Sequence, residues 1–198
     1  MRVSRALIIA LAMPVGLAAQ TPATPPAGPP AEPVTTVFRG RTMGLQRNLA
    51  QAFDSIPASM FGYKPTPKQL SIGYIAQHLV NDNYLFCNAF GTMKATRPPA
   101  DTATADSIKA KWPKEALNAK LKESFKFCED AFAQLNDKNL GEQITTTNPN
   151  GTTRSFARAA MVLGHALDMA DHYSQIANYM RLNNLIPPTA LPRPPRAQ

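Results

Sequence analysis

The stretch Gly164–Pro188, GHALDMADHYSQIANYMRLNNLIPP, reads as the last helix of an all-α protein, ended by the segment NNLIPP. A helix over about Thr153–Asn183 is expected here, because two consecutive prolines, Pro187 and Pro188, cannot continue it. Within it, His165, Asp168 and His172 stand three and four residues apart. Residues at that spacing are neighbours on one helical face, with Cβ atoms about 5–6 Å apart. Two of the chain's three histidines therefore share a face with an aspartate between them.

Three further amphipathic helices precede it. Phe38, Leu45, Leu49, Ala52, Phe53 and Ile56 recur at helical steps and predict a helix over about Val34–Ile56, stopped by Pro57 and GYKPTPKQ. A second, starting near Thr66 or Ser71 and running to about Gly91, carries Ile75, His78, Leu79, Asp82 and Leu85 along its stripe. A third covers about Lys114–Leu135, with Leu117, Leu121, Phe125, Cys128, Phe132 and Leu135 on one face. TMKATRPPADTATAD is expected to be a long loop. Asn148-Pro-Asn-Gly151 reads as a turn, with room for two very short strands around it. Four such helices on one core predict a four-helix bundle, and the long loops leave room for a connection that crosses the bundle end.

The ends have a different composition. Residues 1–20, MRVSRALIIALAMPVGLAAQ, have the basic start, short apolar run and small residues of a cleavable secretory signal peptide. Residues 21–33, TPATPPAGPPAEP, are expected to be a disordered Pro-rich linker, residues 34–188 the helical domain, and residues 189–198 a disordered tail. This organisation predicts a secreted or periplasmic protein with no stable membrane insertion, since no later run reaches the roughly 18 apolar residues a span needs. The net charge of +8 does not point to nucleic acid. Lysines in KAKWPKEALNAKLKESFK alternate with Glu and Ala at helical spacing, which is a solvated face, and no nucleic-acid motif accompanies them.

Cys87 and Cys128 occupy similar settings, NYLFCNAF and SFKFCEDAF. In an oxidising compartment such a pair tends to be joined, stapling the second and third helices; the alternative is two free buried thiols.

Histidines on facing bundle helices are a common way to hold a metal. All three histidines here fall at inward positions of two helices. The plainer reading is that each is a hydrogen-bonded core residue, and that Asp168 and Asp171 face solvent or pair with an arginine. Asp82, one turn after His78, can hold that ring's nitrogen or face solvent.

DHYSQIANYMRLNNLIPP resembles the last helix of DinB-like proteins, which carries a His-Tyr-(Gly/Ser)-Gln element, a Tyr-Leu-Arg and an Asn-Gly-Ile-Val-Pro-Pro-like ending. GYKPTPKQLSIGYIAQHL and the following VNDNYLFCNAF are similar to the Pro-rich approach and second helix of the same family. The resemblance covers about Val34–Pro188 and implies a DinB/YfiT-like four-helix bundle holding a divalent metal (Zn, Ni, Fe or Mn) on three histidines. Two of the three positions match His78 and His172. At the third stands Asp168, so either its carboxylate completes the set, or His165 does from the preceding turn, or the site is lost. The function implied is that of a metal-dependent hydrolase or transferase. A non-catalytic periplasmic metal- or small-ligand-binding or stress-related module is the alternative. The partners implied are a small-molecule substrate and a second copy of the chain.

Overall fold

The computed structural model describes residues 30–148 and 150–192; the expected signal peptide and most of the linker and tail lie outside them. The four long helices are α1 (Pro33–Ser55), α2 (Ile72–Phe90), α5 (Lys114–Ala133) and α6 (Arg158–Leu182). Their ends follow local chemistry. Pro33 opens α1, where its missing N–H is no loss. Ser71 caps α2 by accepting the Tyr74 amide at 3.1 Å. After α6 the Leu185 and Asn184 amides return to the Met180 and Arg181 carbonyls at 2.9 and 3.1 Å. That closure needs a left-handed residue, and Asn184 supplies it at φ 57°.

Two sequence expectations are corrected. The segment expected as a loop contains a short helix, α3 (Pro99–Ala103), and a second, α4 (Asp106–Lys109), begins at its last residue. The last helix starts at Arg158 rather than Thr153, because Thr153–Ala157 form strand β2, antiparallel to β1 (Gln143–Thr147). β1, with Thr145, Thr146 and Thr147, suits a pleated strand, and pairing with it draws Thr153–Ala157 into the hairpin. Gly151 at φ 81° makes the tight turn between them.

The packing partners set the topology. Arg39 reaches the Phe132 carbonyl and Gln46 the Phe125 carbonyl, so α1 and α5 run antiparallel. Asn83 bonds Ser124 and Cys87 joins Cys128, so α2 and α5 run parallel. His78 faces His172, whereas Phe86 faces Gly164 further along α2, so α2 and α6 run antiparallel. The bundle is therefore up-down-down-up, and the α2–α5 connection, expected to cross the bundle end, instead runs back along the length of α2 and carries α3 and α4. A Cβ on Gly73 would run into the Ala110 carbonyl oxygen, so only glycine lets this returning segment lie so close to α2.

The main core joins Leu49, Phe53, Ile75, Leu79, Leu121 and Ile176 from the four long helices. A second apolar cluster at the other end holds Phe90, Phe132, Leu135, Val162 and both cysteines. Cys87 and Cys128 are bonded to each other, with Cα atoms 5.3 Å apart.

Candidate metal centre

Because α2 and α6 are antiparallel, each presents one His–Asp pair to the other in reversed order. On α2, His78 Nε2 lies 3.0 Å from Asp82 Oδ2. On α6, His172 Nε2 lies 3.5 Å from Asp168 Oδ1. Both pairs are four residues apart, one helical turn. The two imidazoles meet edge to face with centroids 5.0 Å apart. His78, Asp82 and His172 each offer a ligand atom, and these atoms all lie within 4.8 Å of one another.

The environment is enclosed on the α6 side and more open on the α2 side. His172 is buried, while the His78 side chain retains 34% of its exposure. Burial raises the Asp82 carboxyl to about 6; His78 pulls it down and Asp168 pushes it further up. Burial opposes charge on His172, but the hydrogen bond and charge of Asp168, helped by Asp82 and Asp171, win and raise its pKa. Asp168 Oδ2 and His172 Nδ1 are buried with no hydrogen-bond partner. Two crowded carboxylates, one with an unpartnered buried oxygen, stand beside two imidazoles, and this donor set fits a divalent cation.

The sequence expectations are distributed as follows. His78 and His172 come together; Asp168 sits against His172 with one oxygen unpartnered; Asp82 occupies the position facing both rings. Asp82 was read as a partner of His78 and not as a ligand. The signal for it was the same four-residue spacing that singled out Asp168 and His172. His165 is elsewhere: it lies seven residues before His172, about 10 Å along the helix axis, at the level of the apolar cluster. It is fully buried there, its Nε2 2.9 Å from Asn83 Oδ1 and 3.9 and 3.7 Å from the Cys87 and Cys128 sulfurs. Phe86, Phe90 and Phe132 surround the ring at 5.8, 6.0 and 6.0 Å. Burial drives its pKa down to about 4, against a small upward pull from Asp168. His165 does not swing in to His172, because two helical turns separate them.

Tyr74, one turn before His78, packs on that imidazole at 6.2 Å. It also lines a half-open cleft of about 580 Å³ with Phe61, Lys64, Ser107, Lys111 and Trp112. Gln175 turns away from the cluster and donates to Asp171 at 2.7 Å.

Residues 43–176, more than half of the chain, match the family model of the DinB superfamily. The chain belongs to the DinB superfamily. Among solved structures, a DinB-like protein from Bacillus cereus is 14% identical with a TM-score of 0.58, over 76% of this chain and 93% of that one. A conserved protein from Enterococcus faecalis is 15% identical with a TM-score of 0.53, over 75% and 95%. The mycothiol-dependent maleylpyruvate isomerase is 9% identical with a TM-score of 0.54, over 72% of this chain and 59% of the isomerase. The DinB chain thus spans about three-fifths of the isomerase's length. These likenesses establish the shared fold. No curated protein matches the sequence.

Proposed function

We propose that this DinB-superfamily protein holds a divalent cation between α2 and α6 on His78, Asp82 and His172, with Asp168 beside it, and acts as a metal-dependent hydrolase or transferase on a small molecule. The observation that carries this is the convergence of the three donor atoms within 4.8 Å of one another, next to an unpartnered buried carboxylate oxygen. Two imidazoles and a carboxylate suit Zn, Fe(II) or Mn(II). A cation bound there supplies a Lewis acid and lowers the pKa of a coordinated water or thiol.

The protein's own groups set the rest. Asp168 orients His172 and favours positive charge near its ring. The exposed edge of His78 is the side open to a substrate. Tyr74 connects this edge to the neighbouring cleft, whose lysines Lys64 and Lys111 favour an anionic small molecule. The structural likeness to a mycothiol-dependent isomerase makes a thiol one candidate for the coordinated nucleophile; water is the other, and needs no thiol cofactor. We also place the protein outside the cytoplasm. A cysteine pair at bonding distance suits an oxidising compartment, and no described helix is long and apolar enough to cross a membrane.

The test is metal content of the purified full chain, alongside His78→Ala and His172→Ala variants checked for helicity by circular dichroism. About one equivalent of divalent metal, lost in both folded variants, is the expected result. Folded wild type that takes up no Zn(II), Fe(II) or Mn(II) overturns the reading. One bound equivalent with no hydrolysis or thiol conjugation in a substrate screen assigns the chain to the non-catalytic binding class instead.

A further inference from the structure

The opposite end of the α2–α6 seam carries a second set of donors that the cation site does not use. Cys87, Cys128 and His165 are all fully buried, and their ligand atoms lie within 4.8 Å of one another. A hydrophobic core has no ordinary need for an imidazole. Here one stands between two sulfurs and an amide oxygen, and its Nδ1 has no partner at all. The amide is itself oriented: Asn83 Nδ2 donates to Ser124 Oγ at 2.8 Å, which aims Oδ1 at His165 Nε2.

We infer that Cys87, Cys128 and His165 form a redox-gated site for a thiophilic divalent cation such as Zn(II), closed while the cysteines are joined and opened when the bond is reduced. The distances decide the point. Tetrahedral Zn(II), with Zn–S of about 2.3 Å and Zn–N of about 2.0 Å, places its sulfur and nitrogen ligands about 3.6 Å apart. His165 Nε2 already lies 3.9 and 3.7 Å from the two sulfurs. Only the sulfurs need to separate, to about 3.8 Å. Asn83 offers two oxygens for the fourth position, Oδ1 at 2.9 Å from His165 Nε2 and the main-chain oxygen at 3.3 Å from the Cys128 sulfur.

The chemistry balances with a dithiol as reductant. The dithiol gives two electrons and two protons, leaves as its own disulfide, and produces the Cys87 and Cys128 thiols. The cation then displaces both thiol protons, and the Nε2 proton of His165 passes to Nδ1. A divalent ion with two thiolates and a neutral imidazole carries no net charge, which a phenylalanine-lined site tolerates where a bare charge would not. This site is separate from the His78 centre and stands or falls independently of it.

The full chain, reduced with a dithiol and desalted without oxygen, is titrated with Co(II) beside the oxidised protein. The expected result is one additional equivalent in the reduced form, with a thiolate-to-cobalt charge-transfer band that nitrogen and oxygen ligands at His78 do not produce. His165→Gln is expected to weaken that extra equivalent about 100-fold or more. X-ray absorption on the Zn(II) taken up only after reduction needs no variant, and should show two sulfur neighbours and one imidazole. No extra equivalent, no sulfur in the Zn(II) shell, or an unchanged affinity in folded His165→Gln each overturns the inference. So does a reduced chain that loses its helicity and does not regain it on adding Co(II) or Zn(II).

Discussion

Two histidines on one helix, His172 and His165, meet opposite conditions along the α2–α6 seam. Around His172 the polar groups are carboxylates, and they raise its pKa although burial works the other way. Around His165 they are an amide and two bonded sulfurs in a phenylalanine cage, and burial lowers it to about 4. Depth alone does not separate the two, since both are buried. What differs is whether neighbouring charge compensates the loss of water. The carboxylate end gathers the candidate cation ligands, and the sulfur end holds its imidazole neutral.

The strongest way to disturb this contrast is to open the apolar end. Cys87 and Cys128 are 41 residues apart, and the loop-entropy account assigns such a crosslink about 4 kcal/mol. Urea unfolding of oxidised and metal-free reduced protein should differ by that order. A difference near zero would mean that the reduced ensemble keeps the two helices together.

Acid should sharpen the contrast, because the two ends respond with opposite sign. His165 has a folded pKa below its ordinary 6.5, so its contribution is complete above 6.5 and is lost as pH falls through about 4. A shift of that size is worth about 3 kcal/mol. Asp82 is raised from 3.8 to about 6, so its contribution is complete below 3.8 and is lost as pH rises through 6. In chelator-treated protein, the stability advantage of wild type over His165→Gln should shrink between pH 6.5 and 4. The stability of Asp82→Asn relative to wild type should rise between pH 4 and 6. Parallel pH profiles for all three proteins would contradict both assignments.

Asp168→Asn probes the cation end more gently. It keeps the shape, removes the charge beside His172, and should weaken Zn(II) binding about 10- to 100-fold, as loss of an orienting partner does. Calorimetric titration measures this; a loss as complete as in His172→Ala would instead place Asp168 directly on the ion. Ser71→Ala, at the start of α2 and outside both ends, is the smallest expected effect. It should cost about 1 kcal/mol through loss of the Tyr74 amide's acceptor, with cation affinity and pH profile unchanged.

Much of this fold was legible in the sequence. The stripe Leu117, Leu121, Phe125, Cys128, Phe132 and Leu135 is buried throughout, because one face of α5 packs first on the main core and then on the second apolar cluster, which Leu135 joins from just beyond the helix end. Leu85, assigned to the inner stripe of α2, is instead exposed, since near its end that helix turns Phe86, Cys87 and Phe90 inward. The short strands around the Asn148–Gly151 turn were legible, but the last helix was started too early, at Thr153, because a hairpin draws its stability from its partner strand, which periodicity within one segment does not register. The candidate site was legible only in part. Spacing identified which residues share a face, but not which level of the opposite helix they meet. That level depends on the antiparallel seam, and it brings Asp82 to the rings while carrying His165 two turns away.

The up-down-down-up order also bears on how the chain reaches this state. α1 packs on α5 and α6, and lies across the diagonal from α2, the long helix that follows it. No early hairpin of α1 with α2 can therefore be native. The first lasting tertiary contacts must join segments separated by the long returning connection, and such remote pairings slow the search relative to a bundle of simple hairpins. Stopped-flow refolding of the oxidised chain, whose crosslink already tethers α2 to α5, should consequently run faster than refolding of the reduced chain.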